Sequence, residues 1–270
     1  MRAGRRVVPV PGDGTFLGLP RRPAAAKMPF RARSSRPKRH SGRCHETMIL
    51  TIPDVMSPAE IQELRALIAV SAFEDGTATA GLQAKRVKKN EQVARDDRRR
   101  PEIQKRVREA LMRSTEFRRA TLPKSIRPCL ISRYRPGMQY GRHVDNAIMG
   151  AEIPVRSDIA TTLFLCEPVD YEGGELVIHG TFGQQEVKPP QGWAVVYPAS
   201  SLHEVRSVTK GERLCAVTWV ESLVRDPARR ELLYDLDSVR RRLVEKQPDA
   251  EEAYLVQKSH ANLLRMWAET

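Results

Sequence analysis

The sequence contains little of what would mark several common protein classes. Aromatic residues make up only 6% of its 270 residues, and they do not cluster near the basic segments. There are four cysteines, and no two of them are spaced as C-x-x-C: Cys44, Cys129, Cys166 and Cys215. This spacing does not favour a zinc ribbon or a thioredoxin-like motif. In a chain of this length we expect reduced thiols, as in the cytoplasm, rather than a disulfide framework.

Long apolar runs are also absent, since none approaches the roughly 18 residues that a membrane helix requires. The sequence therefore predicts a protein that does not span a membrane.

Positive charge is abundant but unevenly distributed. Of the formal net charge of +13, residues 1–47 carry +10, from twelve Lys or Arg against Asp13 and Glu46. Because this segment is also rich in Pro, Gly and Ala and poor in large apolar residues, it predicts a disordered basic extension. Two alternatives stay open: an organellar transit peptide, and a natural start at Met48 that places residues 1–47 upstream of the protein.

A regular pattern begins at Met48. MILTIP predicts a short strand, and Ser57-Pro58-Ala59-Glu60 predicts a helix start with a capping box and proline in the first turn. Pro101 predicts the start of a second helix. Between them, the polar stretch KRVKKNEQVARDDRRR at residues 85–100 predicts a solvated loop or lid.

From about Pro128 to Val220 the pattern is that of short strands. CLISRY, IATTLFL, GELVIH, QEVKP, WAVVYP and CAVTWV are separated by turn segments such as RPG, YEGG, PPQG and TKG. Such spacing favours an antiparallel barrel or a double-sheet jelly roll. The predicted fold class is therefore mainly β with flanking helices.

After Leu223 the pattern predicts two helices, which would form a small C-terminal helical module at residues 223–270. The first begins at Asp226-Pro227, and its apolar stripe is Leu232, Leu236, Val239 and Leu243. The second begins at about Asp249, and its stripe is Val256, His260, Leu263, Leu264 and Trp267. The second stripe could close on the core or on a second subunit, which leaves a homo-oligomer open.

His143 and Asp145 lie in the segment YGRHVDNA, with Val144 between them. On an extended segment, residues i and i+2 point to the same side, so the imidazole and the carboxylate would face one way and Val144 the other. Inside a barrel these two polar groups would be costly to desolvate unless they were paired or bound to a metal. The alternative is an exposed loop, where H-x-D triplets occur often by chance.

His203 lies 58 residues after Asp145 and follows the predicted strand WAVVYP. Two imidazoles and one carboxylate can occupy one face of an octahedral ferrous ion and leave three positions open. A loop histidine without a metal is the alternative. If these three side chains meet in space, the sequence predicts an iron enzyme that activates oxygen.

Arg213 follows His203 by ten residues. Thr209-Lys210-Gly211 predicts a hairpin turn that would bring Arg213 back alongside His203. The guanidinium fork can make two parallel charge-assisted hydrogen bonds to a carboxylate. Apolar neighbours such as Leu214 and Ala216 predict partial burial, and a surface charge is the alternative. His179, by contrast, ends a predicted strand and is expected to be solvated.

Three segments together resemble the PKHD-type hydroxylases, which are bacterial Fe(II)- and 2-oxoglutarate-dependent dioxygenases related to prolyl 4-hydroxylases. The segments are YRPGMQYGRHVDNAIM, DIATTLFLCEPVDYEGGELVI and YPASSLHEVRSVTKGERLCAVTWVESLVRD. The resemblance runs from Met48 to about Leu243, and residues 1–47 fall outside it. The order of YRPG, H-x-D, YEGGEL, a distal histidine and an arginine ten residues later is what makes it specific.

The resemblance implies a double-stranded β-helix (jelly roll) core flanked by helices, with residues 48–222 as the dioxygenase domain. It implies that His143, Asp145 and His203 bind iron and that Arg213 binds the far carboxylate of 2-oxoglutarate. Tyr134 falls where related prolyl hydroxylases carry a tyrosine near that cosubstrate.

The implied reaction is hydroxylation of a prime substrate, with O2 consumed and succinate and CO2 released, and ascorbate supporting turnover by keeping the iron ferrous. Glu204 and Glu212 depart from the family pattern. They flank His203 and Arg213 and are expected to offset part of the charge on the arginine. The prime substrate itself is not specified by the sequence.

The sequence leaves two other functions open. One is a non-catalytic metal-binding β-barrel module, which would consume no 2-oxoglutarate, and the position of Arg213 favours the enzyme over it. The other is an oxidative nucleic-acid demethylase recruited by the basic segments through phosphate contacts. The absence of an aromatic cluster near those segments argues against a nucleic-acid partner.

Overall fold

The computed structural model describes residues 48–81, 84–150, 154–180 and 183–270. The predictions made for residues 1–47, including Cys44, lie outside these ranges. The helices are α1 Pro58–Ala69, α2 Arg100–Arg113, α3 Thr115–Thr121, α4 Pro227–Lys246 and α5 Glu251–Trp267. Each helix in these ranges is too short or too polar to cross a lipid bilayer.

The strands are short and numerous, as the turn-rich sequence predicts. They are β1 Leu50–Ile52, β2 Phe73–Asp75, β3 Lys88–Lys89, β4 Glu91–Val93, β5 Pro123–Ile126, β6 Leu130–Tyr134, β7 Gln139–His143, β8 Ile148–Met149, β9 Val155–Arg156, β10 Ile159–Phe164, β11 Tyr171–Gly173, β12 Leu176–Gly180, β13 Gly183–Val187, β14 Ala194–Pro198, β15 Leu202–Val205, β16 Val208–Gly211 and β17 Arg213–Ser222. All six strand segments predicted between Pro128 and Val220 are found.

Two antiparallel sheets form the jelly-roll core. The large sheet has eight strands in the order β1-β14-β10-β17-β6-β4-β2, with β5 paired to β17. The small sheet has five strands in the order β13-β12-β15-β7-β3. Consecutive strands alternate between the sheets over much of the chain, so residues distant in sequence meet between them. The predicted fold class is confirmed.

The start of α1 shows how the local sequence determines an element. The Ser57 hydroxyl accepts a hydrogen bond from the Glu60 amide (3.3 Å), and the Glu60 carboxylate accepts one from the Ser57 amide (2.8 Å). These bonds satisfy backbone donors that the first helical turn leaves free. The buried face of α1, which includes Leu64, joins α2, α3 and the large sheet in one apolar core.

The prediction of a solvated loop or lid at residues 85–100 is wrong for Lys88–Val93. β3 pairs with β7, and β4 pairs with both β2 and β6. Lys88, Asn90 and Gln92 are buried, whereas Lys89 is exposed. The period of two is present, but the inward residues are polar because this part of the sheet borders a polar cavity. A search for alternating apolar residues therefore misses it.

The predicted hairpin between His203 and Arg213 is also wrong. The segment Thr209-Lys210-Gly211 belongs to β16, which pairs with β11 rather than with a neighbour in sequence. β15 lies in the small sheet and β17 in the large one. Arg213 therefore faces His203 from the opposite sheet, and the turn signal reflects Gly211, whose φ of +75° lets the chain change direction.

The C-terminal helices agree with the prediction in extent, but α4 packs through a different face. Its buried residues are Arg230, Leu233, Tyr234 and Asp237, whereas Leu232 and Val239 of the predicted stripe are exposed. Asp237 is bonded by Arg119 from α3 and by Arg240 and Arg241 from its own helix. The face that packs therefore combines apolar Leu233 and Tyr234 with this ion cluster, and it is displaced around the helix from the predicted stripe. The predicted stripe of α5 is partly buried along its length.

Candidate metal centre

His143 and His203 lie opposite each other on neighbouring antiparallel strands. Their Cα atoms are register partners between β7 and β15, and their ring centroids are 4.3 Å apart. Because both side chains point to the same side of the small sheet, both imidazoles face the space between the sheets.

Asp145 follows the end of β7 and completes the group. Its Oδ1 lies 3.9 Å from Nε2 of His143, and its Oδ2 lies 3.8 Å from Nε2 of His203. One potential ligand atom from each of the three residues lies within 4.8 Å of the others. Val144 between them is 49% exposed, as the alternation of an extended segment predicts.

Backbone carbonyls fix the orientation of both rings. Nδ1 of His143 lies 2.8 Å from the Gly141 carbonyl oxygen, and Nδ1 of His203 lies 2.9 Å from that of Ser201. A carbonyl can only accept, so each Nδ1 carries the proton and each Nε2 presents its lone pair to the centre. This is the tautomer that a metal ligand needs, held by the second ring nitrogen.

The electrostatics also favour a metal. Burial, with a smaller contribution from neighbouring His203, lowers the pKa of His143 to about 3, so its imidazole is neutral over the physiological range. Burial raises the pKa of Asp145, and His203, Trp219 and Lys88 only partly oppose that effect. A buried carboxylate beside the two imidazoles is relieved of its desolvation penalty when a divalent cation binds.

Aromatic residues pack against the three candidate ligands. Tyr140 stacks on the His143 ring at 3.5 Å between centroids and an interplanar angle of 15°, and Tyr197 meets the His203 ring at 5.1 Å. Trp219 of β17 donates a hydrogen bond of 2.9 Å from Nε1 to Oδ2 of Asp145. The ligand set is thus supported from both sheets.

A cavity of about 600 Å³ opens from this group, and every site residue predicted from the sequence lines it. Tyr134 and Arg213 are register partners on β6 and β17, and both side chains are buried in its wall. The guanidinium carbon of Arg213 lies 5.2 Å from the ring centroids of Tyr134 and Phe164. Burial is more complete for Arg213 than expected, since it is only 1% exposed.

Within the described residues, no carboxylate lies within ion-pair distance of Arg213. Its Nη1 donates to the Cys215 thiol (3.0 Å), and its Nε is buried without a hydrogen-bond partner. A buried guanidinium whose N–H donors lack acceptors requires an anion to offset the free-energy cost of its desolvation. The floor of the cavity therefore fits the carboxylate of a small molecule.

Gly174, the second glycine of YEGGEL, makes room for Arg213. It has φ +66°, and a Cβ at this position would lie 3.1 Å from Cδ of Arg213 and 2.9 Å from Cγ2 of Val208. The motif is therefore explained by the close approach of β11 to β16 and to the arginine.

Three expectations for neighbouring polar residues need correction. Glu204 does not offset Arg213, because it contacts His179 (3.2 Å) and Arg142 (3.6 Å). Glu212 contacts Arg135 at 3.2 Å instead. His179 is partly buried in its contact with Glu204 rather than solvated. Glu204 follows inward-facing His203 on β15 and so points to the opposite side of the sheet. Glu212 lies between β16 and β17, and its carboxylate is held by Arg135.

Sequence reasoning missed Lys88, Gln92, Tyr140 and Trp219, which all line the cavity. Tyr140 could not have been found by strand alternation, because it lies three residues before His143 and shares its side of the sheet only through the register shift between β7 and β15. Trp219 carries a weak signal, since it shares a strand face with Val217. The short strands that carry Lys88 and Gln92 alternate, but with polar residues inward, so the search for apolar alternation does not find them.

The donor set fits a ferrous ion and the buried guanidinium fits 2-oxoglutarate, and comparison with known proteins agrees. The profile of the 2OG-Fe(II) oxygenase superfamily matches residues 129–221, and that of the PKHD-type hydroxylase C-terminal domain matches residues 227–269. A PKHD-type hydroxylase of Acaryochloris marina is 48% identical over 222 residues, covering 82% of this chain and all of the relative. One of Picosynechococcus is 46% identical with the same coverage.

Among solved structures, a prolyl hydroxylase of Trichoplax adhaerens in complex with a hypoxia-inducible-factor peptide shares the fold. Its TM-score is 0.50 at 14% identity, and the match covers 70% of this chain and 87% of that chain.

Proposed function

Because this chain belongs to the PKHD-type hydroxylases of the 2OG-Fe(II) oxygenase superfamily, we propose that His143, Asp145 and His203 hold its iron and that Arg213 and Tyr134 bind its 2-oxoglutarate. The enzyme is an Fe(II)- and 2-oxoglutarate-dependent hydroxylase with O2 as the second co-substrate. The observation that carries the assignment is the convergence of three ligand atoms in one cavity, with both Nε2 lone pairs directed to its centre.

When bound, iron and 2-oxoglutarate supply the oxidising chemistry: one oxygen atom of O2 enters succinate as CO2 is released, and the other enters a C–H bond of the substrate. The protein's contribution is binding, orientation and exclusion of side reactions. His143, Asp145 and His203 would occupy one face of the metal, which leaves the opposite face for ligands. Trp219 would keep the Asp145 carboxylate in one orientation.

Arg213 would anchor the far carboxylate of 2-oxoglutarate. The support is its complete burial, its free Nε and the absence of an acidic partner within the described residues. Tyr134 lies beside the guanidinium, and burial raises the pKa of its hydroxyl, which therefore stays protonated and can donate to the same carboxylate.

We further propose that residues 48–222 act as the oxygenase domain, that residues 223–270 form a helical module packed on α3, and that residues 1–47 are a basic extension. The support for the module is the Asp237 ion cluster.

Ascorbate is proposed as the reductant that keeps the iron ferrous. A cytoplasmic location is proposed because Cys129, Cys166 and Cys215 are buried free thiols, as is usual in a reducing compartment.

Iron-dependent formation of succinate from 2-oxoglutarate tests the site. Wild type should form succinate, and Asp145→Ala and His143→Ala should not, because each loses a metal ligand. Asp96→Ala, which removes an exposed carboxylate on a turn, is the matched control and should behave as wild type. Full activity of His143→Ala would overturn the ligand assignment. Metal binding without 2-oxoglutarate consumption in wild type would favour a non-catalytic module.

A further inference from the structure

The cavity that holds the metal group is strongly cationic. Five of its lining residues are basic and one is acidic: Lys88, Arg95, Arg100, Arg127 and Arg213, against Asp145. The proposed function accounts for Asp145 through the iron and for Arg213 through 2-oxoglutarate. Arg95 lies 3.6 Å from Glu74. Within the described residues, Lys88, Arg100 and Arg127 have no carboxylate within 4.0 Å, so three positive charges are left in excess.

Lys88 is the most informative of the three because it is buried. It is 8% exposed, and its Nζ donates one hydrogen bond of 2.9 Å to the Thr79 hydroxyl. An ammonium has three donors, so two are left for a ligand. Burial lowers the pKa of Lys88 to about 8, and an anion at this position would remove that penalty.

The position of Lys88 places it next to the reaction centre. It is the register partner of Tyr140, and its Nζ lies 5.0 Å from the ring of Tyr140, which in turn stacks on His143. The hydroxyl of Thr79 and the side chains of Gln92 and Ser132 continue a hydrogen-bonded row along the same wall. This row holds Lys88 in the cavity.

Arg127 is a second cation in the wall of the same cavity. Its amide donates to the carbonyl of Trp219, the residue that bonds Asp145. Its side chain donates to the Met149 carbonyl at 3.3 Å, which orders it without neutralising it. Arg127 and Lys88 therefore line the same cavity, and within the described residues neither has a carboxylate partner there.

We propose that the prime substrate of this enzyme carries a carboxylate or phosphate group, which Lys88 binds together with Arg127 inside the cavity. This inference rests on the proposed function, since it assigns the substrate class of the same site. The chemistry shared by the two groups is an oxyanion able to accept several charge-assisted hydrogen bonds. Arg100, at the first turn of α2, adds a third positive charge to the same wall.

The inference can be tested by protection of Lys88 from amidination. Protein loaded anaerobically with Fe(II) and 2-oxoglutarate is treated with methyl acetimidate, which releases only methanol, and the modification of each lysine is measured by mass spectrometry. Methyl phosphate and acetate are the two probes, with chloride at equal ionic strength as the reference. Either oxyanion should protect Lys88, and the probe that acts at the lower concentration identifies the preferred group. Lys89 is the internal control, because it is the next residue of the same strand and is exposed.

In Arg127→Met, a roughly tenfold higher concentration of the probe should be needed to protect Lys88 equally, because a charge-assisted hydrogen bond to the probe is lost. The Lys89→Met variant loses the same charge from the outer face and should show wild-type protection of Lys88. Absence of protection by both oxyanions, or equal protection by chloride, would overturn the inference.

The visible charge-transfer band of the Fe(II)–2-oxoglutarate complex separates this inference from the proposed function. If wild type shows no such band when it is mixed with Fe(II) and 2-oxoglutarate, the proposed cosubstrate site is contradicted. A band present in wild type but lost in Lys88→Met would show that Lys88 serves 2-oxoglutarate, and would overturn the assignment to the prime substrate alone.

Discussion

Trp219 and Asp145 are joined across the two sheets by a hydrogen bond of 2.9 Å from the indole nitrogen to Oδ2. Trp219 belongs to the large sheet, whereas Asp145 follows a strand of the small one. The carboxylate that completes the metal group is therefore oriented by a residue 74 positions away, and the bond couples the packing of the sheets to the geometry of the centre.

Trp219→Phe should weaken metal binding by about 10- to 100-fold, because it removes the donor that fixes a ligand while keeping most of the aromatic volume. Titration of the metal-free protein with a divalent cation under anaerobic conditions measures the effect. Trp267→Phe, on α5, is the matched control and should bind metal as wild type does. Equal affinities of the two variants would show that Asp145 needs no support from the indole.

Arg213→Lys should raise the KM for 2-oxoglutarate by about tenfold, and Arg213→Ala by about 100-fold, because the lysine keeps the charge but loses the planar fork. Metal binding without 2-oxoglutarate should be unchanged, since the guanidinium does not contact the ligands. Arg108→Ala removes an exposed arginine and serves as the control. An unaltered KM in Arg213→Ala would refute the assignment of the cosubstrate carboxylate.

Gly174→Ala tests whether the YEGGEL motif exists to accommodate Arg213. Alanine at φ +66° should cost roughly 1–2 kcal/mol of stability, and its Cβ would press on the arginine side chain, so the KM for 2-oxoglutarate should rise. Gly183→Ala is the control, because its φ is +137° but no atom lies within 4 Å of the added Cβ. Both variants should lose stability, and only Gly174→Ala should bind 2-oxoglutarate more weakly.

The three residues that the sequence assigns to iron lie together in the structure. Alternation along an extended segment predicts that His143 and Asp145 face one side, whereas His203 is added by the motif order of the PKHD-type hydroxylases that the sequence resembles. His143 and Asp145 required only an extended segment between them. The burial of Arg213 followed from its apolar neighbours. The six strands of the core followed from apolar runs bounded by turn residues, which are local signals.

The pairing of strands could not be predicted in the same way, because it depends on residues distant in sequence. Thr209-Lys210-Gly211 has the composition of a hairpin turn, yet it pairs with β11, about 40 residues earlier. Polar cavity walls are a second reason for error. Lys88, Asn90 and Gln92 alternate as a strand should, but with the polarity reversed, so the pattern predicts a solvated loop.

Lys88 also makes stability depend on pH in a way that can be measured. Burial lowers the pKa of its ammonium from the ordinary 10.5 to about 8 in the folded protein. Between these two values the unfolded chain binds more protons than the folded one, so the free energy of unfolding rises as the pH rises. The whole effect should amount to roughly 3 kcal/mol.

Urea denaturation of the metal-free protein at several pH values from about 7 to 10 measures this effect. Wild type should gain stability relative to Lys88→Met as the pH rises through that range, because the variant has no buried ammonium that can lose its proton. Lys89→Met, which removes an exposed ammonium from the same strand, should follow the wild-type curve. Parallel curves for wild type and Lys88→Met would mean that Lys88 stays charged and already compensated in the folded protein, which would remove its need for an anionic ligand.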